Sequence, residues 1–302
     1  MRVVIAGGSG FLGTALSRAL VAERHTVSIF TRGPGREAVA ASPRHIHWNP
    51  GESAGAWRDA IATADAVVNL AGESIAAGRW TDARKRRILE TRTIATTALA
   101  SAIVHSSRVP AVFVSASAVG YYGPRHDEIV TEDSQAGDDF LASVCKDWEA
   151  AAAPATARAR LVIIRTGLPL SREGGALPRM LPPFWFGAGG PVGSGRQYWP
   201  WIHLRDWVDA VRFALANDSV EGPVNLTAPS PVTNAAFAAA LGRVMHRPAL
   251  LRTPGLALKL LLGEMAEALL LSGQRVVPDK IRRLGYIFHF DSLDAALRDL
   301  FP

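Results

Sequence analysis

Short apolar runs and longer segments of helical period alternate along the first 170 residues of the chain. Buried strands are predicted at the start of the chain and at 65–73, 110–117 and 159–171. Between them, apolar positions recur with a helical period at 81–104 and 140–153, and Thr81 has the character of an N-cap. Strands and helices that take turns in this way predict an α/β fold, with a doubly wound parallel sheet and helices on both faces.

The pattern changes in the second half of the chain. Residues 174–206 are dense in Gly, Pro and Trp and contain few periodic segments, so we expect them to wrap around a ligand rather than to form core. Residues 222–245 predict a strand, a turn and a helix that begins at Thr233 and Asn234. An amphipathic helix is predicted at 256–271, and a capped closing helix at 291–301.

These patterns predict a Rossmann domain with a smaller, discontinuous C-terminal substrate lobe. The Rossmann domain covers 1–170, and residues 200–228 return to it because they end in another apolar strand. The substrate lobe consists of 171–199 and 229–302. No internal repeat and no low-complexity linker interrupts the chain.

The composition is that of an ordinary globular protein, with 302 residues, 48% of them hydrophobic and 20% charged. The net charge of +6 suits an anionic ligand such as a phosphorylated cofactor, and also nucleic acid. The densest basic run, "RKRR" at 84–87, lies inside a helical pattern without nearby aromatic residues. It therefore predicts a solvated helix face, and we expect no nucleic-acid partner.

The cysteine and histidine pattern limits the other classes of site. Cys145 is the single cysteine, which excludes an internal disulfide and a four-cysteine metal site, and no histidines pair at ligand spacing. We therefore expect no metal. The apolar segment 256–271 is too short and too charged to span a membrane, and the chain opens directly on a strand without a signal peptide. The expected location is the cytoplasm, without a membrane partner.

A glycine motif follows the first strand. Gly7, Gly10 and Gly13 are spaced G-x-x-G-x-x-G, with Gly8 in addition, and the helical pattern begins directly after them. Glycines at such a turn let the backbone approach a pyrophosphate, which then lies at the helix N-terminus among free amide donors. The strand before, the helix after and a second strand ending near residue 31 make this motif specific for a dinucleotide.

The end of the second strand predicts which dinucleotide binds. NAD sites usually have an acidic residue there, whereas this chain has Arg32, and its next acidic residue is Glu37. A guanidinium suits the 2′-phosphate of NADP, which it can hold with charge-assisted hydrogen bonds. The sequence therefore favours NADP over NAD.

Ligands of doubly wound sheets gather beyond the carboxyl ends of the strands, so other strand ends should line the same site. The cofactor-binding residues predicted in this way are Gly7, Ser9, Gly10, Phe11, Leu12, Gly13, Arg32, Leu70, Ala71, Gly72, Thr166 and Gly167.

Five motifs together resemble a known superfamily: "GGSGFLG", "NLAG", "SASAVGYYG", "RTG" and "WIHLRDWVDA". They are similar to the extended short-chain dehydrogenase/reductases, which include nucleoside-sugar epimerases and dehydratases. The signatures "NLAGESI", "RW" and "PVTN" look like an atypical branch, the epimerase-family proteins. The resemblance runs from Met1 to about Phe301.

The resemblance implies a catalytic set of Ser or Thr, Tyr and Lys, with the last two in the pattern Y-x-x-x-K on one helix face. Here Ser117 would hold the substrate oxygen, with Ser115 as the substitute, and Lys146 would bind the nicotinamide ribose. Four residues before Lys146 stands Ala142, so the usual tyrosine is missing. The proton transfer would then fall to Tyr121, Tyr122, a water molecule or Glu73.

The predicted substrate-binding residues are Glu73, Gln197, Trp201 and His203, the last three because related epimerases line their pockets at these places. Asp206 follows His203 in an H-x-x-D pattern and is expected to cap or orient rather than to catalyse.

Three functions fit the sequence. The first is an NADP-dependent oxidoreductase or epimerase acting on a small hydroxyl or carbonyl compound. The second is an NADP(H)-binding sensor that has lost turnover, supported by Ala142 in place of a tyrosine. The third is an NAD-dependent sugar-nucleotide epimerase, for which Arg179 and Arg196 would bind the diphosphate. The expected partner is a small-molecule substrate, with the chain as a monomer or a homodimer.

Overall fold

The predicted parallel sheet is present in the structure, a computed structural model that describes residues 1–37, 42–52 and 54–302. The strands in chain order are β1 (Arg2–Ala6), β2 (Thr26–Thr31), β3 (Arg44–His47), β4 (Ala66–Asn69), β5 (Val112–Ala118), β6 (Ile129–Val130), β7 (Arg160–Thr166), β8 (Leu168–Leu170), β9 (Tyr198–Trp199), β10 (Trp201–His203), β11 (Gly222–Leu226), β12 (Val232–Thr233) and β13 (Arg275–Val276).

The helices in chain order are α1 (Phe11–Ala22), α2 (Ala56–Thr63), α3 (Asp82–Val104), α4 (Phe140–Ala152), α5 (Leu177–Trp185), α6 (Leu204–Ala216), α7 (Asn234–Val244), α8 (Gly255–Leu262), α9 (Glu264–Ala266), α10 (Asp279–Arg283) and α11 (Leu293–Leu300). Single 3₁₀ turns lie at Val119–Tyr122 and Ala153–Ala157, and a π turn lies at Glu267–Leu271.

Seven parallel strands form the main sheet in the order β11-β7-β5-β4-β1-β2-β3. The chain winds outward from β1 to β3 and then returns to place β4 on the other side of β1. The direction of winding therefore changes between β1 and β4, and a crevice opens beyond the carboxyl ends of these two strands. This is the Rossmann-type α/β fold that the sequence predicts.

Two apolar layers cover the sheet. On one face, Ile5 and Val114 pack with Leu16 of α1 and Val211 of α6. On the other face, side chains of the alternate strand positions pack with Trp57 of α2 and with the long helix α3. Strands buried on both faces explain why the sequence shows continuous apolar runs rather than alternation.

The predicted helices at 81–104 and 140–153 are confirmed as α3 and α4. Thr81 caps α3 by accepting a hydrogen bond from the Arg84 amide, and Asp139 caps α4 by accepting one from Ala142. The strand expected at 159–171 is two strands, β7 and β8, because the chain bends at Gly167. The helix expected at 256–271 breaks at Gly263, where φ is +64°.

The segment 174–206 corrects one expectation, because it contributes core. It contains helix α5, and Phe184, Trp199 and Trp201 are buried against α7 and α11 in a third apolar cluster. The division into domains at 170, 200 and 228 stays a prediction, although β11 does pair with β7 in the main sheet.

No helix within the described ranges is long and apolar enough to cross a membrane.

Candidate cofactor and active site

The turn after β1 leaves no room for side chains. Gly7 has φ of +77°, and a Cβ there would lie 2.6 Å from the carbonyl carbon of Leu70. A Cβ at Gly13 would lie 2.6 Å from the Cα of Gly8, so α1 packs directly on the turn. Both positions therefore require glycine, and the backbone alone forms the floor of the crevice.

The N-terminus of α1 is open to an anion. Gly10 is its N-cap and supplies no side-chain cap, and no acidic residue lies in the first turn. Ser9 and Gly10 are exposed, with Phe11 and Leu12 partly covered. Free amide donors and the positive end of the helix dipole fit the diphosphate of a dinucleotide.

Arg32 follows β2 and is exposed beside the crevice. It lies within electrostatic reach of Glu73, which follows β4: the hydrogen bond from Arg84, reinforced by the charges of Arg84, Arg87 and Arg32, lowers the pKa of Glu73. The strands β2 and β4 flank β1 in the sheet, so Arg32 and Glu73 lie on either side of the turn that follows β1. A guanidinium there fits a 2′-phosphate.

Glu73 is held by arginines. Its carboxylate accepts from Arg84 Nη1 at 2.5 Å and lies 3.3 Å from Arg87 Nε. Its backbone is held too, since Arg92 Nη2 donates to the Glu73 carbonyl at 3.0 Å. The carboxylate of Glu73 is therefore paired in the structure, and its role at the substrate or in proton transfer stays a prediction.

Asn69 shapes the turn at the end of β4. The buried amide accepts from the backbone of Ala71 at 3.1 Å and donates to Thr96 Oγ1 of α3 at 2.7 Å. Arg92 covers Gly72, where a Cβ would lie 3.2 Å from the arginine side chain. The backbone of 70–72 is therefore fixed at the rim of the crevice.

Thr166 and Gly167 end β7 at the same edge of the sheet. Thr166 Oγ1 accepts from Trp207 Nε1 at 3.1 Å, and the Gly167 amide donates to the Leu226 carbonyl at 3.0 Å. A Cβ at Gly167 would collide with the backbone of Pro200. Gly167 is therefore required where the chain leaves the sheet for the C-terminal lobe.

Ser117 ends β5 inside a buried polar network. Its hydroxyl donates to Glu149 Oε1 at 2.6 Å, and Arg165 of β7 holds the same carboxylate with two hydrogen bonds of 2.9 and 2.8 Å. The hydrogen of Ser117 is therefore directed to Glu149, and its oxygen is left to accept. Ser115, two residues earlier, is completely buried, and within the described chain its Oγ has no hydrogen bond.

The two tyrosines differ. Tyr122 is completely buried, donates to Asn225 Oδ1 at 2.7 Å and accepts from Arg165 at 3.0 Å, and burial raises its pKa to about 12. This corrects the expectation that Tyr122 can swing in as the acid/base. Tyr121 is partly exposed, and its ring centre lies 3.5 Å from the Arg165 guanidinium carbon.

The side chains of α4 that contact β5, the strand that carries Ser115 and Ser117, differ from those that the sequence predicts. Lys146 is exposed, and its ammonium donates to the Gly137 carbonyl at 3.4 Å. Cys145 is the residue that faces the strand, with its thiol 3.7 Å from the Ala118 carbonyl, and burial raises its pKa to about 11. Together with Glu149, four residues on, Cys145 defines the inward face, so Lys146 does not share a face with Ser117.

The three predicted substrate residues of the lobe are used in its packing. Gln197 donates to the Val192 and Leu270 carbonyls at 3.0 and 2.8 Å, and Trp201 donates to Ser230 at 3.1 Å. His203 is buried and caps α6 by accepting from the Arg205 amide at 3.1 Å. These contacts give Gln197, Trp201 and His203 structural roles, and their place at the substrate stays a prediction.

Asp206, in contrast, has a structural role of the kind that the sequence predicts. Its carboxylate accepts from the amides of His289 and Phe290 at 2.7 and 3.0 Å.

Sequence reasoning missed the members of the network that are not in "SASAVGYYG". They are Glu132, Glu149, Arg165 and Asn225. One signal was present, because Arg165 is a charged residue in the middle of the apolar run "LVIIRTG" and a buried charge needs a partner.

Within residues 1–37, 42–52 and 54–302, no group of three or more His, Cys, Asp or Glu side chains is arranged to hold a metal ion.

Comparisons with known proteins agree with this geometry. The model of the NAD dependent epimerase/dehydratase family matches residues 3–226, and a domain of unknown function matches residues 253–300. The epimerase family protein Mb2239 of Mycobacterium bovis is 46% identical over 297 residues, which cover 98% of this chain and 96% of the relative.

Two solved structures are similar over nearly the whole chain. The human epimerase family protein SDR39U1 (isoform 2) with NADPH is 37% identical, with a TM-score of 0.88 and coverage of 99% of both chains. The UDP-glucuronic acid 4-epimerase of Bacillus cereus in complex with UDP-glucuronic acid and NAD is 16% identical, with a TM-score of 0.78 and coverage of 100% and 99%. At that identity the second match shows the fold alone.

Proposed function

Because this chain belongs to the NAD dependent epimerase/dehydratase family, we propose that it binds NADP(H) and acts as an oxidoreductase or epimerase on a small hydroxyl or carbonyl compound. The observation that carries the cofactor assignment is the crevice between β1 and β4. Its floor is backbone that excludes any Cβ at Gly7 and Gly13, and Arg32 stands at its rim. The similar human protein SDR39U1 has been solved with NADPH.

The roles of the binding residues follow from their positions. The amides at the N-terminus of α1 bind the diphosphate, and the guanidinium of Arg32 binds the 2′-phosphate. The fixed backbone at 70–72 and the end of β7 at Thr166 line the rest of the crevice. Bound NADP(H) would supply or accept a hydride at its nicotinamide ring.

The catalytic roles fall to the end of β5. Ser117 holds the substrate oxygen, and because its own hydrogen points to Glu149, it accepts a hydrogen bond from a substrate hydroxyl. With Tyr122 enclosed, Tyr121 is the phenol left at this strand end, and we assign the proton transfer to Tyr121 or to a water molecule. The cytoplasm stays the expected location.

The experiment is a calorimetric titration of the chain with NADPH and with NADH, repeated on Arg32→Asp. The matched control is Arg24→Asp, which makes the same charge change at an exposed residue. Arg24 lies just before the amino-terminal end of β2, whereas Arg32 follows its carboxyl end. Loss of charge-assisted hydrogen bonds should weaken the binding of NADPH by Arg32→Asp roughly 30-fold, whereas the affinity for NADH should change less than about threefold. An equal loss for both cofactors would overturn the phosphate role of Arg32.

A binding protein without turnover is the second candidate, and the face of α4 favours it. This face offers Cys145 and Glu149 to the serine strand, and neither a phenol nor an ammonium. The variant Ser117→Ala distinguishes the two candidate functions. If the protein is an enzyme, the variant should lose turnover of the substrate and keep its affinity for NADPH. If it is a sensor, the parent chain should already show no substrate-dependent oxidation of NADPH.

A further inference from the structure

An apolar surface on the C-terminal lobe has no partner in the described chain. Its exposed members, which we call the leucine patch, are Trp185, Phe186, Leu250, Leu251, Leu256, Leu260 and Leu261. Phe186 is 85% exposed and Leu250 84%, values that are extreme for side chains of this size. Contiguous apolar surface of this kind marks an interaction site.

Two of the segments that carry the patch run side by side. The Leu251 amide donates to the Gly189 carbonyl at 3.1 Å, and Thr253 exchanges hydrogen bonds of 2.9 Å with Pro191 and Gly193. These bonds bring the end of α5 next to Leu250 and Leu251, and α8 begins directly afterwards.

Helix α8 is the clearest part of this surface. Its sequence is GLALKLLL, and none of its eight residues is buried. A helix that is apolar almost all round is normally enclosed in a core or in lipid, so its exposure here indicates a missing partner. Leu256 and Leu260 lie one turn apart and form a ridge on the same face.

The charged residues of the segments that form the patch are all cationic. The segments 174–205 and 222–263 contain no Asp or Glu, while Arg196, Arg247 and Arg252 are exposed and form no ion pair with the described chain. The nearest carboxylates are already neutralised, because Lys259 pairs with Glu267 at 2.8 Å and Lys85 pairs with Glu264. The occupant of the patch should therefore be both apolar and anionic.

We propose that the leucine patch docks on the surface of an anionic lipid bilayer. Protruding Leu, Phe and Trp side chains flanked by arginines suit insertion at the level of the headgroups, where the cationic side chains reach the lipid phosphates. A second copy of the chain fits less well, since an isologous contact would bring two cationic rims together. A surface-bound protein needs no spanning helix, and the described residues contain none long and apolar enough to span a membrane. The proposal is independent of the cofactor site.

The test is co-sedimentation of the full chain with vesicles, either of phosphatidylcholine alone or with about one-third phosphatidylglycerol. The chain should pellet with the anionic vesicles and far less with the neutral ones, and high salt should weaken the binding. Leu256→Ser with Leu260→Ser should reduce the bound fraction at least about tenfold, as should Arg247→Glu with Arg252→Glu. Ile287→Ser is the matched control, because Ile287 is 84% exposed outside the patch, and it should bind as the parent chain does.

Three outcomes would overturn the proposal. One is no binding to the anionic vesicles above the vesicle-free control, and another is equal binding by the Leu256→Ser, Leu260→Ser variant. The third is a dimer in light scattering without lipid that the same double variant abolishes, which would make a second copy the occupant. Thermal melts and NADPH titrations of each variant should match those of the parent chain, since all the substituted residues are exposed and none of them is assigned to the cofactor crevice.

Discussion

The glycine turn and the end of the serine strand lie at the same edge of one sheet, yet they are built in different ways. The turn at Gly7–Gly13 is made of backbone, and its three motif glycines lie within seven positions of the chain. The end of β5 is made of side chains, and Ser117 depends on Glu149 and Arg165, which come from two other elements.

This difference explains why the two regions tolerate change differently. A backbone site fails when a side chain is added, because there is no space for it. A buried polar network fails when a side chain is removed, because its partners are left desolvated and unpaired. The predictions below test this distinction by removal first.

Arg165→Met should have the largest effect. It removes both hydrogen bonds to the Glu149 carboxylate and leaves a charge uncompensated beside Ser117, which should cost about 3–5 kcal/mol of the free energy of unfolding. Urea unfolding measures this loss in the free energy of unfolding. The double variant Glu149→Met, Arg165→Met should recover most of the loss, and a double variant as unstable as the single one would show that the pair is not the cause.

Tyr122→Phe should come next. It keeps the ring but removes the hydroxyl that joins Asn225 to Arg165, at an expected cost of about 1–3 kcal/mol in urea unfolding. Tyr121→Phe is the matched control, since the described chain offers its hydroxyl no hydrogen bond, and it should change stability by less than about 0.5 kcal/mol. Equal costs for the two variants would remove Tyr122 from the network.

His203→Asn should have the smallest effect, visible in the pH dependence of unfolding. Burial lowers the pKa of His203 below its ordinary value near 6.5, against a smaller opposite effect of Asp299. The imidazole of His203 therefore binds a proton more readily in the unfolded chain than in the folded one. Its contribution to the free energy of unfolding is present above pH 6.5 and is lost as the pH falls through the lowered pKa. Asparagine keeps the N-cap acceptor for Arg205 but does not titrate.

The slope of the free energy of unfolding between pH 7 and 5.5 should therefore be shallower in the variant, by at most about 1.4 kcal/mol per pH unit. Identical slopes would mean that His203 is not desolvated, and would reopen its predicted role at the substrate.

The sheet and the glycine turn could be predicted because their causes are local. Apolar runs, the helical period and the spacing of Gly7, Gly10 and Gly13 are all visible within short windows. The end of β5 could be located but not understood. Nothing near Ser117 in the sequence indicates that Glu149 accepts its hydrogen, because that contact requires the packing of α4 on the sheet.

The Lys146 prediction started from Y-x-x-x-K, in which Ala142 takes the place of the tyrosine. In the structure Ala142 is buried and Lys146 is exposed, and the side chains that reach the end of β5 are those of Cys145 and Glu149. The role of Lys146 at the nicotinamide ribose stays a prediction. The contacts of His203 and Gln197 could not be predicted, because capping and carbonyl-binding roles leave no mark on the sequence that differs from a substrate contact.

The most direct test is the dissociation constant of NADPH, measured by calorimetry on the parent chain, Gly13→Ala and Ser117→Ala, with Gly78→Ala as the control at a glycine with open space around it. If the backbone turn holds the cofactor and the serine strand serves the substrate, Gly13→Ala should weaken NADPH about 100-fold, which is ~2.7 kcal/mol. Ser117→Ala and Gly78→Ala should then bind as the parent chain does. A loss in Ser117→Ala as large as that in Gly13→Ala would contradict the separation of the two regions.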